Sequence, residues 1–234
     1  MEITFFECKD YEKKKYCAEL KGHTINCISS ILNAQTLKDY RDSEVVSVFI
    51  RSKLDKDNLA QFEKLSLIVT RSTGFDHIDL EECRKRKIVV TNVPFYGENT
   101  VAEHAFALIL SLSRNIHKSY IRTLRDDFTI EDLQGFDLKG KTLGVIGTGH
   151  IGSHVIKMAK GFGMKVLAYD KYPDTFQADI LHYQYVSLEE LLRESDIVTI
   201  HTALTPETHH FINEKRLRQM KKGAILINTA RGDI

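Results

Sequence analysis

Gly147-Thr148-Gly149-His150-Ile151-Gly152 spells G-x-G-x-x-G, a spacing in which three glycines do three different jobs. The first permits a tight turn, the second lets a pyrophosphate approach the backbone, and the third lets a helix pack close to a strand. Free N–H groups at the start of that helix would face the phosphate oxygens. Asp170 follows about 20 residues later, at the end of a second apolar run. A carboxylate there accepts from both hydroxyls of a ribose and repels a 2′-phosphate, so the combination predicts NAD rather than NADP.

Other residues carry weaker signals. The stretch Arg71-Ser72-Thr73-Gly74-Phe75-Asp76-His77 follows a strand, at the edge where open α/β sheets bind ligands. Two readings stay open for it: backbone N–H groups that reach a carboxylate, or an ordinary strand-to-helix turn. His201, His209 and His210 fit no metal-ligand spacing and read as solvated or capping residues. His104, within an apolar segment, reads as a core histidine with a local hydrogen bond. The four cysteines also lack ligand spacing and are expected to be free thiols. No metal site is expected.

These residues need elements to position them. Leu143, Val145 and Ile146 read as a buried strand before the glycines, with a helix from Ser153 to Lys160 and a strand Lys165–Tyr169 after them. Upstream, strands are expected at 3–7, 45–50, 66–70 and 88–91, and helices at 10–21, 55–64 and 79–86, with a weak strand preference at 23–29. Such alternation argues for parallel βαβ units with helices on both faces. Pro94 and Gly97 punctuate the pattern, and Thr100 to Glu103 reads as a capping box. The residues from Ala105 to Leu110 are apolar all round, which predicts a helix buried on every side and wedged between two domains. Residues 115–139 read as a polar surface segment, and the stretch after Asp170 as a polar excursion through Pro173. A helix at 188–193 capped by Ser187, a strand at 196–201, a helix at 213–220 and a strand at 224–228 complete the list.

Composition narrows the possibilities. With 234 residues, 42% of them hydrophobic, the chain can bury one large core or two ordinary ones. A net charge of +1 gives no reason to expect nucleic acid or an anionic membrane as partner. There is no apolar run of about 18 residues and no signal-peptide pattern, so a cytoplasmic location is expected and Arg231-Gly232-Asp233 is not read as an adhesion tripeptide.

Four features occur in order: a βα domain with a Ser-Thr-Gly loop, a Pro-Phe-Tyr joint before an apolar helix, the glycine fingerprint with Asp170, and a late Asn-Thr-Ala-Arg-Gly. This order resembles the D-2-hydroxyacid dehydrogenase family, and within it most closely the D-lactate dehydrogenases. The resemblance covers essentially the whole chain. It implies an α/β protein of two doubly wound parallel-sheet domains, a flavodoxin-like substrate domain over 1–98 and a Rossmann NAD-binding domain over 99–234. The family's chain then returns to its substrate domain, so the sequence looks C-terminally truncated.

The resemblance also assigns roles. The Ser72-Thr73-Gly74 backbone and Tyr96 would contact the carboxylate end of a small 2-oxo or 2-hydroxy acid. Val101 would pack near the nicotinamide, with Thr229 and Ala230 approaching the same end. His150 and Ile151 would lie over the pyrophosphate held by Gly147, Gly149 and Gly152. Asp170 would bind the adenosine ribose, and Thr202, Ala203 and Thr208 would line the nucleotide. Ala203 departs from the family's usual proline. Arg231 matches the catalytic arginine, which grips the carboxylate and polarises the C2 oxygen. The family's catalytic glutamate and histidine come after that arginine, so residues 1–234 alone are expected not to turn over. A homodimer is implied. Alternatives are a dehydrogenase for glycerate, phosphoglycerate or formate, an NAD-sensing regulator of the same fold, and a nucleotide-binding domain without chemistry.

Overall fold

A computed structural model describes all 234 residues. The chain divides into two compact units, Met1–Tyr96 and Gly97–Ile234. In the first, strands β1 (Glu2–Phe5), β2 (Thr24–Cys27), β3 (Val45–Val48), β4 (Leu67–Thr70) and β5 (Val89–Thr91) form one sheet in the order β2-β1-β3-β4-β5. Every pairing is parallel. This is the doubly wound 2-1-3-4-5 arrangement. Helices α1 (Asp10–Glu19), α2 (Ala34–Leu37), α3 (Lys56–Leu59) and α4 (Leu80–Lys85) make the connections. Phe6, Leu37, Val46, Val48, Leu54, Leu59, Phe62 and Ile68 form the main core, each contributing about 1.5–3 kcal/mol by leaving water.

Two details differ from the sequence reading. The expected helix at 55–64 is a single turn, α3, capped by Asp55, whose carboxylate accepts from Asn58 N at 2.9 Å. It stops because the Arg86 guanidinium donates to the carbonyls of Leu59 and Phe62, which a longer helix would have used itself. The short α2, capped by Asn33, was not expected at all.

The second unit opens with α5 (Glu98–Ser113) and α6 (Ile116–Thr123). Its remaining elements are β6 (Thr142–Ile146), α7 (His150–Gly161), β7 (Lys165–Tyr169), α8 (Thr175–Leu181), β8 (Gln184–Tyr185), α9 (Leu188–Glu194), β9 (Ile197–Ile200), α10 (Glu214–Leu217) and β10 (Ile225–Asn228). The sheet order is β10-β9-β6-β7-β8, again all parallel. The order reverses between β6 and β9, and such switch points are where doubly wound sheets bind ligands.

Helix α5 corrects two expectations. It begins at Glu98 with Gly97 as its N-cap, so Thr100 lies inside its first turns and no capping box forms there. Nor is it buried on all sides. Ala102, Ala105, Phe106, Ile109 and Ser113 are buried, while Ala107, Leu108 and Leu112 are exposed. Ile116, Tyr120 and Leu124 of the next segment continue an exposed apolar series at four-residue spacing. That segment, read as polar surface chain, contains α6 because Asn115 turns through a left-handed conformation and restarts the helix. The excursion after Asp170 likewise holds α8 and the two-residue strand β8.

Candidate functional site

The glycine loop is built by close approach. Gly147 ends β6 with φ +92°, and a Cβ there would lie 2.7 Å from the carbonyl carbon of His201 and 2.8 Å from Thr202 N. Only a residue without a side chain lets the ends of β6 and β9 come so near. A Cβ on Gly152, inside α7, would fall 2.0 Å from Gly147 O, so this glycine lets the helix sit on its own turn. Gly149, the N-cap of α7, is different. A Cβ there would meet nothing within 4 Å. The first and third glycines are therefore demanded by the fold, and the second leaves an open cradle at a helix N-terminus.

Asp170 stands at the end of β7 with both carboxylate oxygens engaged. Oδ2 accepts from Thr148 N at 2.7 Å and from Thr148 Oγ1 at 3.1 Å, and Oδ1 accepts from Tyr172 N at 2.9 Å. Each oxygen can accept further bonds from a diol. The loop after β9 is stitched by Thr208, whose hydroxyl donates to Ala203 O at 2.7 Å and accepts from Thr205 N at 2.7 Å. These bonds brace the loop where Ala203 lacks a proline's rigidity.

At the other end of the cleft, a cavity of about 500 Å3 is lined by Thr100, Val101, His104, Thr229, Ala230 and Arg231, among others. Asn228 shapes its floor: its Oδ1 accepts from Ala230 N at 2.9 Å and its Nδ2 donates to Arg231 O at 2.7 Å. Thr229 Oγ1 is buried without a hydrogen-bond partner. A buried hydroxyl left unpaired costs about 1–3 kcal/mol, and a ligand amide would relieve that cost. The cradle over Gly149, the acceptors on Asp170 and the orphaned Thr229 hydroxyl all fit a dinucleotide.

His104 is the residue the sequence reading misplaced. It is exposed on α5 and faces the cavity that Arg231 lines, instead of lying in the core. His150 sits at the first position of α7, Ile151 is half-buried after it, and Thr202 adjoins Gly147. His209 and His210 stack on each other at 4.0 Å.

His201, at the end of β9, is held by a 2.8 Å bond between Nε2 and Thr199 Oγ1, and burial pushes its pKa from 6.5 down to about 4. It is therefore neutral at pH 7 and unsuited to donate a proton there. Because the folded value is the lower one, the unfolded chain takes up the proton first as the pH falls. His201 thus withdraws stability between pH 6.5 and about 4, by at most about 3 kcal/mol. Denaturant melts of wild type and His201→Gln across that range should show a shallower acid limb in the variant. Parallel limbs would assign the loss to other groups.

In the first unit, the hydroxyls of the Ser72-Thr73-Gly74 loop are engaged by neighbouring residues of that unit. Ser72 Oγ donates to Gly74 O at 2.7 Å and lies 2.6 Å from Thr70 Oγ1, which in turn is 3.2 Å from His77 Nε2. Thr73 Oγ1 donates to Val93 O, and Asn92 Nδ2 donates to Thr73 O. With these side chains committed, what the loop can offer a ligand is its backbone. Tyr96 is 59% exposed at the end of the same unit.

Residues 106–234 match the family model described as "D-isomer specific 2-hydroxyacid dehydrogenase, NAD binding domain". Among curated proteins, a 2-hydroxyacid dehydrogenase homolog of Schizosaccharomyces pombe is 41% identical over 100% of this chain and 72% of its own length. The D-lactate dehydrogenase of Escherichia coli is 37% identical over 99% of this chain and 71% of its own. Among solved structures, a D-lactate dehydrogenase from Aquifex aeolicus complexed with NAD and lactic acid superposes with a TM-score of 0.93. It is 39% identical and aligns with 99% of this chain and 69% of its own.

Proposed function

Because the chain belongs to the D-isomer-specific 2-hydroxyacid dehydrogenase family, we propose that it interconverts a small 2-oxo acid and its D-2-hydroxy acid with NAD, pyruvate and D-lactate being the first pair to test. The observation that carries this reading is the cavity lined by Arg231, Val101 and Thr229. It combines a cation for a carboxylate with the apolar side chains of Val101, Leu108 and Ala230 for a nicotinamide ring. Bound NAD supplies the hydride acceptor or donor. The residues of the chain supply the rest. Arg231 spans the substrate carboxylate and stabilises charge developing on the C2 oxygen. The N–H groups at the start of α7 hold the pyrophosphate over Gly149. Asp170 takes the adenosine ribose, and the backbone of Ser72 to Gly74 with Tyr96 serves the carboxylate end of the substrate.

The test is NADH oxidation with a panel of 2-oxo acids, run beside NADPH in the catalytically competent enzyme, for wild type and Asp170→Ala. Wild type should prefer NADH. Asp170→Ala should weaken NADH binding about tenfold and narrow the preference, in line with loss of charge-assisted bonds. Equal use of both cofactors by the wild type would remove Asp170 from its assigned role. Turnover of no 2-oxo acid in the panel would remove the substrate class.

A further inference from the structure

Behind Asp170 runs a line of three hydroxyls that nothing in the hydride chemistry requires. Thr148 Oγ1 lies 3.1 Å from Asp170 Oδ2 and 2.7 Å from the Tyr185 phenol oxygen. The Tyr185 oxygen lies 2.9 Å from that of Tyr183, which is 3.0 Å from Gln177 Oε1. The line thus makes four contacts between an anionic acceptor at one end and an amide oxygen at the other. Each hydroxyl carries one hydrogen, so three hydrogens serve four contacts and one contact must go without.

Charge decides which. A bond to a carboxylate is roughly twice as strong as one between neutral groups. The hydrogens therefore point toward Asp170: Thr148 donates to the carboxylate, Tyr185 to Thr148 and Tyr183 to Tyr185. Gln177 Oε1 is the acceptor passed over; the Ser153 hydroxyl lies 3.1 Å from it but has a nearer acceptor in Gly149 O at 2.7 Å. Donors aligned in series polarise one another and strengthen the last bond. Burial, followed by the neighbouring Tyr185, raises the pKa of Tyr183, which keeps this phenol a neutral donor at the far end. Asp174 N donates to the Tyr185 oxygen at 3.1 Å, and its carboxylate caps α8 through Gln177 N. The phenol is thereby fixed from a second direction.

We propose that Tyr185 is a positioning residue for cofactor choice, holding the Asp170 carboxylate through the Thr148 hydroxyl in the orientation that accepts a ribose diol and repels a 2′-phosphate. The inference rests on Asp170 binding the adenosine ribose. Tyr185 touches no part of the cofactor in this scheme; it acts through Thr148.

The experiment measures Kd for NADH and for NADPH, by nicotinamide fluorescence, on the 234-residue chain and its variants. Tyr185→Phe keeps the ring and removes the donor. It should raise the NADH Kd about three- to tenfold, the value of about one hydrogen bond, and leave the NADPH Kd within about twofold. Thr148→Ser keeps the hydroxyl and should keep the NADH Kd within about twofold of wild type. In an Asp170→Ala background, Tyr185→Phe should have no further effect, because the group it acts through is gone. Equal weakening of both cofactors by Tyr185→Phe would mark a merely structural role and overturn the proposal. So would an unchanged NADH Kd, or an effect that persists without Asp170. If Asp170→Ala alone leaves the cofactor preference unchanged, the ribose assignment itself fails and takes the proposal with it. A working Asp170 with an inert Tyr185 sinks the relay alone.

Discussion

Arg231→Lys is expected to lower kcat/KM for the 2-oxo acid about a hundredfold in the catalytically competent enzyme, while the NADH Kd stays where it was. The reason lies in geometry more than in charge, since both side chains are cations. Arg231 leaves β10 through a turn fixed by Asn228, whose amide holds Arg231 O and whose carbonyl takes Ala230 N. The guanidinium of a residue anchored in that way can meet both oxygens of a carboxylate in one plane. A lysine offers a single point charge on a flexible stem, and cannot reproduce the two parallel bonds. The loss should appear in both KM and kcat, because the same grip aligns the C2 carbon and stabilises charge on its oxygen. Kinetics with pyruvate, together with NADH titrations, check the split. A substitution silent in kcat/KM would make Arg231 a bystander.

The glycine loop yields the second large effect, and a contrast within it. Gly149→Ala should leave thermal stability almost unchanged, because its Cβ meets nothing within 4 Å and the residue is not in a left-handed conformation. Yet it should weaken NADH binding at least about tenfold, since the methyl group would occupy space meant for the pyrophosphate. Gly152→Ala should do the reverse. Its Cβ would sit 2.0 Å from Gly147 O, a backbone atom that cannot step aside, so the fold should lose about 3 kcal/mol or more. Melting curves and NADH titrations on the two variants separate the cases. Tight NADH binding by Gly149→Ala would mean that the pyrophosphate lies elsewhere.

The parts of the molecule legible in the sequence were those whose requirements are local. Gly147 and Gly152 are dictated by backbone crowding, and Asp170 by the end of a short apolar strand, so spacing along the chain was enough. Requirements set at a distance were not legible. Helix α3 ends where it does because Arg86, more than 20 residues away, takes its carbonyls. The tyrosine line behind Asp170 went unseen because β8 is two residues long and offers no periodicity. His104 was misplaced for a different reason. The run from Ala105 to Leu110 is apolar on every face, and that masked the true buried stripe of Ala102, Ala105, Phe106, Ile109 and Ser113. Its spacing of three, one, three and four residues was available, and it leaves His104 outside the core. The NAD-binding half could be inferred from motifs, whereas Arg231 gained its role only from the resemblance, because a lone cation after a strand has no signature of its own.

The reversal of strand order between β6 and β9 also bears on when the cradle comes into being. Strand β6 meets β7 across a single intervening helix, but it meets β9 only by closing a long loop, as in the 54-residue span from Thr142 N to the Asp196 carboxylate. Closing such a loop costs entropy that local pairing does not. Gly147 lies on one side of that junction, and His201 and Thr202 on the other. Neither side alone forms the cleft. A dinucleotide lying across it therefore clasps the pairing that closes the longest loop of this sheet, and by mass action it should hold that pairing shut.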